Sequence, residues 1–581
     1  MKHITHKADF CVIGGGIAGI CASIAAARHG MSVVLMHDRP VFGGNASSEI
    51  RMHICGADRA DGKGLRESGI VEEIELENIY HNPQKNYSMW DMVLFSKVKE
   101  HKNITCLLNC SCNQAQTDNN RIISIKGWQG TSETFHEVYA DIFSDCSGDS
   151  ILADLVKADY AIGRESSSQY NESIEPKKAD LKTMGLSCLI QVKRHNRKIE
   201  YIPSEYAEEY KDMFDFAKLM PYRGRGSIEG CTNFWWLELG GVEDSIHDTD
   251  KIRDDLIGLS TAVWDFVKNK ADYKAENYSL EWMGFLPGKR ESRRYIGDYV
   301  LNQNDIQNKT NFHDAVAYGG WSMDDHNPEG FMFEGKPTIY HPAPQPYEIP
   351  YRCLYSKNIK NLMFAGRNIS ASHAAMSSTR VIGTCSILGQ AVGLACSIAI
   401  KNNTNPRGVY EKHIKQLQHT LMEDDCYIPS LTKPISSLTS QAKYNGKGTL
   451  FENLTNGKER NILDEINHWN GEQLILSWDN DIFVKQLRIV FDSELERVEK
   501  NMPFMWEEEI YNSQMPKRLV KDFDISVNID GKWTVTHQVR DNHKRLVKLD
   551  INQNIQSIKI ENIKTWDGLD KCNIFSFEVN N

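Results

Sequence analysis

The alternation of apolar and polar positions predicts a parallel α/β unit at the start of the chain. Asp9–Ile13 is a short apolar run of the type found in strands buried on both faces. A helix follows to about His29, stopped by Gly30, and Ser32–Met36 reads as a second strand. Val138–Phe143 and Asn361–Phe364 read as two more strands of this kind. Gly383–Ile400 is weakly polar and carries Gly389, Gln390 and Gly393, which fits a buried helix better than a membrane span of about 20 strongly apolar residues. Between 160 and 345 the pattern is mixed, with strand-like Leu186–Lys193 and Asn233–Leu239 and helix-like Asp250–Asn269. Tyr410–Met422 is a final helix, and 429–448, rich in Ser, Thr, Lys and Gly, reads as a linker. Beyond it the period becomes two, in Leu487-x-Ile489-x-Phe491, Phe523-x-Ile525-x-Val527-x-Ile529 and Ile558-x-Ile560, with a hairpin signal at Asp530-Gly531. Short alternating strands joined by turns predict a β-sandwich.

At 581 residues the chain exceeds one hydrophobic core, so several domains are expected. The division is a Rossmann-like α/β dinucleotide domain over 1–159 and 346–428, an inserted α+β substrate domain over 160–345, the linker over 429–448, and the sandwich over 449–581.

Composition changes this picture little. A net charge of −11 argues against a nucleic-acid partner, and no Lys/Arg run suggests an anionic membrane surface. Met1–Lys7 is polar and lacks the charged, apolar and small-residue parts of a signal peptide, so a cytoplasmic location is expected. The fourteen cysteines contain no CxxC, which suggests a reducing compartment. Cys106, Cys110 and Cys112 would share one face of a single strand with Leu108, as buried thiols, and no metal site is expected.

Gly14-Gly15-Gly16-Ile17-Ala18-Gly19 lies between the first strand and the helix, the context in which GxGxxG binds a dinucleotide. Gly14 permits the turn, Gly16 lets backbone approach a pyrophosphate, and Gly19 lets helix and strand pack closely. Amides at the helix start, those of Ile17 and Ala18 among them, are donors for phosphate. The carboxylate expected to bind ribose about 20 residues later is displaced: His37 occupies its place, and Asp38 follows. Either Asp38 binds the ribose or His37 does so as a neutral group.

Arg39-Pro-Val-Phe-Gly43-Gly44-Asn45-Ala-Ser47-Ser48-Glu49 follows the second strand directly. It resembles the second glycine motif of the glutathione-reductase-like flavoproteins. Cys146-Ser147-Gly148 is similar to their third-strand turn. Gly366-Arg367, with Ser378-Thr379-Arg380 and Gly383, is similar to their C-terminal flavin motif. Gly43–Arg51, Gly288–Arg294 and Ala365–Asn368 with Ser372-His373 also resemble the bacterial FAD-dependent oxidoreductase family, whose members are sometimes labelled xanthan-lyase-related. This resemblance spans roughly residues 5–425. It implies FAD as cofactor and a glutathione-reductase-type fold. A weaker resemblance, at Asn456-Gly457, Arg460 and Trp469, is to discoidin or galactose-binding-like modules.

Substrate oxidation on a flavin needs a base, and histidine titrates in the right range. His373 follows the Gly366-Arg367 turn, and His326 lies in the glycine-rich, aromatic stretch 319–328, read as a loop. Both are candidates, with Arg290 as a bidentate anchor for a polar substrate. Arg51 and His53 could line the flavin, and a covalent histidyl bond at His53 is conceivable. Tyr347 and Tyr351 read as packing. The close cysteine pair of the disulfide reductases is missing from this sequence. The expected activity is hydride abstraction from a polar small molecule such as a sugar, by a chain that could form homo-oligomers. The alternatives are a flavin-dependent monooxygenase and a carbohydrate-binding protein carrying FAD without catalysis.

Overall fold

The computed structural model describes the whole chain except residues 59–60, 224–227, 229–233, 501 and 504–512. Its first sheet has the order β3–β2–β1–β6–β5–β4, from β1 (Lys2–Ile13), β2 (Val33–Met36), β3 (Ile104–Leu107), β4 (Cys110–Asp118), β5 (Arg121–Gln129) and β6 (Thr134–Asp145). The first four strands in this order are parallel, and β5 and β4 are antiparallel additions. The strand Leu362–Phe364 joins β6 in parallel, Leu362 opposite Phe143 and Phe364 opposite Asp145. Both ends of the α/β unit therefore build one sheet, and everything between leaves and returns. β1 starts at Lys2 rather than Asp9, its polar first half pairing with β6 from Thr134 onward.

The apolar helix Ile382–Lys401 is long enough to cross a membrane, but 94% of its apolar window is buried inside the fold. It lies against α1 (Ile17–Arg28) along a small-residue seam. A Cβ at Gly389 would overlap the Ala18 carbonyl, and one at Gly393 the Ala22 carbonyl. These contacts hold two helix N-termini beside the same end of the sheet.

Three expectations need correction. Cys106, Cys110 and Cys112 do not share one strand. Cys106 ends in β3, Asn109 turns the chain at φ +53°, and Cys110 and Cys112 lie in β4. The stretch 319–328 is not a loop, because Met323–His326 pairs antiparallel with Thr338–His341. The linker is shorter than 429–448, because Lys443–Thr449 pairs with the long strand Trp469–Phe491. Its exposed lysines alternate with half-buried Tyr444, Gly446 and Gly448.

In the inserted region, Leu186–Ser187 is paired by Glu238–Leu239 and Gly288–Lys289. Of the expected strand Asn233–Leu239, Asn233 lies outside the described residues and only Glu238–Leu239 is extended and paired. The helix Thr249–Asp265 buries Leu256, Leu259, Val263 and Trp264. The C-terminal sheet is built on two long strands, Trp469–Phe491 and Leu546–Thr565. The strand Cys572–Asn580 pairs with both ends of Trp469–Phe491, at Trp469–Gly471 and again at Gln486–Phe491, which folds the sheet over its own apolar face into a sandwich.

That module is fastened to the α/β unit. Leu76, on the helix α2 (Ile70–His81), is buried in the sandwich core. Arg497 grips both oxygens of Glu72 at 2.8 and 2.7 Å. The Arg460 guanidinium donates to the carbonyls of Gly64 and Arg66 and the hydroxyls of Tyr318 and Ser68, while stacking over Tyr427. Arg460 thus holds two modules together, and its N–H groups face protein oxygens.

Candidate functional site

At the C-terminal edge of the parallel strands the two glycine loops meet. Gly14, at φ +104°, brings its Cα against the Cys146 backbone, where a side chain would collide. Gly43 N–H donates to Gly15 O at 2.8 Å, and a Cβ on Gly44 would come within 3.1 Å of Gly16 Cα. Neither α1 nor Ile382–Lys401 has a side-chain cap or an acidic first turn. Their first amides therefore remain donors at the positive ends of two helices. This is a cradle for an extended anion.

Hydrogen bonding distinguishes the surroundings of His37 and Asp38. Gly15 N–H donates to His37 Nδ1 at 3.0 Å, so that nitrogen carries no proton, and Nε2 faces the Val41 carbonyl at 3.1 Å. A carbonyl only accepts, so Nε2–H is the donor. Both ring nitrogens are used within the protein, and the ring is buried. His37 ties the glycine turn to the Val41 carbonyl, and its Nδ1 also lies 3.2 Å from Asp38 Oδ1. Asp38 is about half exposed and lines the cleft.

The cleft has an open volume of about 1900 Å3. Of the residues singled out from sequence, Gly14, Gly16, Ile17, Ala18, Asp38, Arg39, Gly43, Gly44 and Asn45 line it, and His37 contributes the edge of its ring. So do Cys146, Ser147, Gly148, Gly366, Arg367, Arg380, Arg290 and His326. Eight others do not. Gly19 packs under Gly14 O. Ser47 Oγ donates to Gly44 O, and Ser48 N–H to Asp91. Arg51 is stacked between Tyr87 and Trp282, at 4.4 and 4.2 Å. Ser378 Oγ contacts the Trp321 carbonyl and the Tyr347 hydroxyl, and Thr379 is buried in the same helix. Gly383 is packed against Glu67 and the Cys55 carbonyl.

His373 is the eighth. It starts the helix His373–Thr379, buried behind the strand Met323–His326. Nδ1 lies 2.9 Å from Glu291 and Nε2 3.4 Å from Asp325, and Glu291 and Glu165 also share Arg294. Burial opposes charge on His373, but these carboxylates overcome it and hold its pKa well above the ordinary value. It is a buried strut between carboxylates and does not line the cleft.

Strand alternation puts Asp324 and His326 on the face opposite Asp325. In the cleft wall His326 Nδ1 lies 2.7 Å from Glu238 and Nε2 3.2 Å from Asp324. Burial lowers its pKa, Glu238 and Asp324 raise it more, and the net shift is upward. Arg380 contacts Asp324 at 3.3 Å, and Arg290 donates to Ser187 Oγ at 2.8 Å and the Trp235 carbonyl at 2.9 Å. Arg39 Nη1, Arg367 Nε and Arg380 Nε are buried without a hydrogen-bond acceptor. These arginines also face Glu49, Asp149 and Asp324, and their spare N–H groups suit an anionic ligand.

Sequence reasoning missed several lining residues. Asp149 bridges Lys289 and Arg367, and although burial raises its pKa, these cations bring it down to about 2. Trp235, Trp321 and Tyr340 add aromatic surface. His53, which the sequence offers as a flavin-lining residue, lines the cleft with Nε2 3.0 Å from Cys55 Sγ, and burial pushes its pKa down to about 3. Trp235, Trp321 and Tyr340 sit in irregular segments or on short strands, where no period marks them as inward facing. Glu238 was invisible for the same reason.

No curated protein matches the chain. Among solved structures, a geranylgeranyl bacteriochlorophyll reductase-like protein from Thermoplasma acidophilum aligns over 73% of this chain and 85% of its own, at 11% identity and a TM-score of 0.31. A glycerol-3-phosphate dehydrogenase from Bacillus halodurans, solved with FAD, aligns over 34% and 43%, at 13% identity and a TM-score of 0.21. The family 32 carbohydrate-binding module of Streptococcus pneumoniae EndoD aligns over 25% of this chain and 99% of its own, at 13% identity and a TM-score of 0.19. Such scores describe partial likeness and decide nothing about function. The family model described as "FAD dependent oxidoreductase" matches residues 9–421, most of the chain and the whole glycine-loop cleft. The chain belongs to that family, and it is an oxidoreductase whose cofactor is FAD.

Proposed function

We propose that the protein oxidises a hydroxyl-bearing polar molecule, of which a sugar is the leading class, with His326 as the base. The cradle fits FAD on its own terms: glycines where a Cβ would intrude, two uncapped helix N-termini, and orphaned arginine N–H groups. Gly14, Gly16, Ile17, Ala18, Gly43 and Gly44 would hold its pyrophosphate, and Asp38 a ribose. Arg39, Asn45, Cys146, Ser147, Gly148, Gly366, Arg367 and Arg380 would complete the walls. Bound FAD supplies the two-electron acceptor.

The observation that carries the reading is His326 held between Glu238 and Asp324 in the cleft wall, with Arg290 and Arg380 beside it. Converting a carbinol to a carbonyl releases the hydroxyl proton. His326 Nε2 would take it once it exchanges its 3.2 Å contact with Asp324 for the substrate oxygen. Glu238, fixed on Nδ1, favours the protonated ring that results. Arg290 and Arg380 would orient oxygen substituents, and Trp235, Trp321 and Tyr340 offer flat faces to a pyranose. The test is anaerobic bleaching of the flavin by a panel of sugars, glycosides, sugar acids and amines. Bleaching by a hydroxylated compound, slowed at least about 100-fold in His326→Gln, is the expected result. Oxygen uptake that requires a nicotinamide reductant, with no bleaching by the panel, would point to a monooxygenase instead.

A further inference from the structure

We propose that Glu77, His81 and His543 form a divalent-metal site of the zinc type, joining the C-terminal module to the α/β unit. Glu77 and His81 are four residues apart at the end of α2, so they share one face. His543 comes from the turn between the strands Lys532–Val539 and Leu546–Thr565, and its ring stacks on Tyr80 with centroids 4.2 Å apart. One carboxylate oxygen, Glu77 Oε2, lies 3.3 Å from His81 Nε2 and 3.1 Å from His543 Nε2. The three ligand atoms lie within 4.8 Å of one another. Ligands held at zinc's usual 2.0–2.1 Å in a tetrahedron stand about 3.3 Å apart. The two carboxylate–imidazole edges already match this, and rotation of the half-exposed His81 ring closes the third.

The tautomer of His543 supplies an independent argument. Its Nδ1 lies 3.2 Å from the carbonyl oxygen of Asp541, which can only accept, so Nδ1 carries the proton. In the neutral ring Nε2 is then a bare lone pair, aimed at a carboxylate oxygen. Two acceptors in contact need a proton or a metal cation between them, and the second imidazole of His81 on the same carboxylate oxygen favours the metal. A backbone carbonyl on the far nitrogen is also the usual outer partner of a metal-bound histidine. Glu77 is oriented in a similar way: Lys97 Nζ holds Oε1 at 3.1 Å and leaves Oε2 to the histidines. Two imidazoles and one carboxylate select zinc or its neighbours over calcium or magnesium, which prefer all-oxygen shells. The metal would be structural, spanning two modules far apart in sequence.

The experiment uses the full-length flavoprotein, stripped with a chelator and dialysed against ZnCl2. The expected result is one zinc per chain, nitrogen and oxygen scattering without sulfur in X-ray absorption, and a zinc-dependent rise in Tm. His81→Ala and His543→Ala should each weaken binding at least about 10- to 100-fold and abolish the Tm rise. His81 is exposed at a helix end, so its variant keeps the test valid if the His543 variant folds poorly. Sulfur ligation, binding undiminished in both variants, or no zinc-dependent change would overturn the site. The last outcome would mean that a protonated His543 alone bridges to Glu77.

Discussion

At the scale of single residues, the site depends on which groups carry protons. The pKa of His326 is raised by Glu238 and Asp324 against its burial. As a base His326 must be neutral, so kcat/KM should rise with pH through a midpoint above 6.5, the ordinary histidine value. Asp324→Asn removes part of the support, and the acidic limb should move to lower pH. A pH–rate profile with no limb in this region, or one unmoved by Asp324→Asn, would remove His326 from the mechanism. A second pair of substitutions separates His37 from Asp38. Losing His37 leaves the buried Gly15 amide unpaired, so His37→Ala should cost about 1–3 kcal/mol of stability even without FAD. Asp38→Ala should leave the apoprotein unchanged and weaken FAD about tenfold. Denaturant melts with and without flavin, alongside flavin titrations, distinguish the two. The sequence marked this position as abnormal but could not choose between the residues. The amide of Gly15, whose direction is a property of the folded turn, shows what His37 bonds to and motivates the pair of substitutions.

At the scale of elements, legibility followed periodicity. The parallel strands, α1 and the Gly383–Ile400 helix announced themselves by long apolar runs. The strand Met323–His326 did not, because its polar residues serve two different buried faces. Asp324 and His326 belong to the cleft, and Asp325 belongs to the His373 cluster. Polar residues on both faces erased the alternation that would have revealed the strand. The seam between α1 and Ile382–Lys401 is the opposite case, since Gly389 and Gly393 are visible in sequence and their purpose appears only in contact. Gly389→Val would drive a branched side chain into the Ala18 carbonyl and push apart the two helix N-termini. The expected cost is about 2–3 kcal/mol or more, with flavin affinity falling alongside stability. A conservative variant on the solvent side, Lys401→Ala, should leave both near the parent values in the same thermal and flavin-binding assays.

At the scale of the whole molecule, the C-terminal sandwich behaves as part of the oxidoreductase and not as a tethered appendage. Arg460 reaches three oxygens of the α/β unit and the Tyr318 hydroxyl of the inserted region, Arg545 pairs with Asp425 at 2.9 Å, and Leu76 of α2 completes the sandwich core. An arginine noted from sequence for its likeness to sugar-binding modules is instead used to lock the interface. A further link is the bidentate pair between Arg497 and the buried Glu72. Burial favours the neutral acid, but Arg497 more than compensates, and the Glu72 pKa is lowered. The stabilisation from this pair is therefore complete above the ordinary carboxylate range and fades as pH falls through the depressed value. Arg497→Ala strands a buried carboxylate, at a cost of about 3–5 kcal/mol. Calorimetry of the parent should show the two modules melting together, and Arg497→Ala should separate an early transition of the sandwich from that of the flavin domain. Adding Glu72→Gln to Arg497→Ala should recover part of the loss, because the stranded charge is gone. Independent melting of the modules in the parent protein, or no recovery in the double variant, would show that the interface does not couple them.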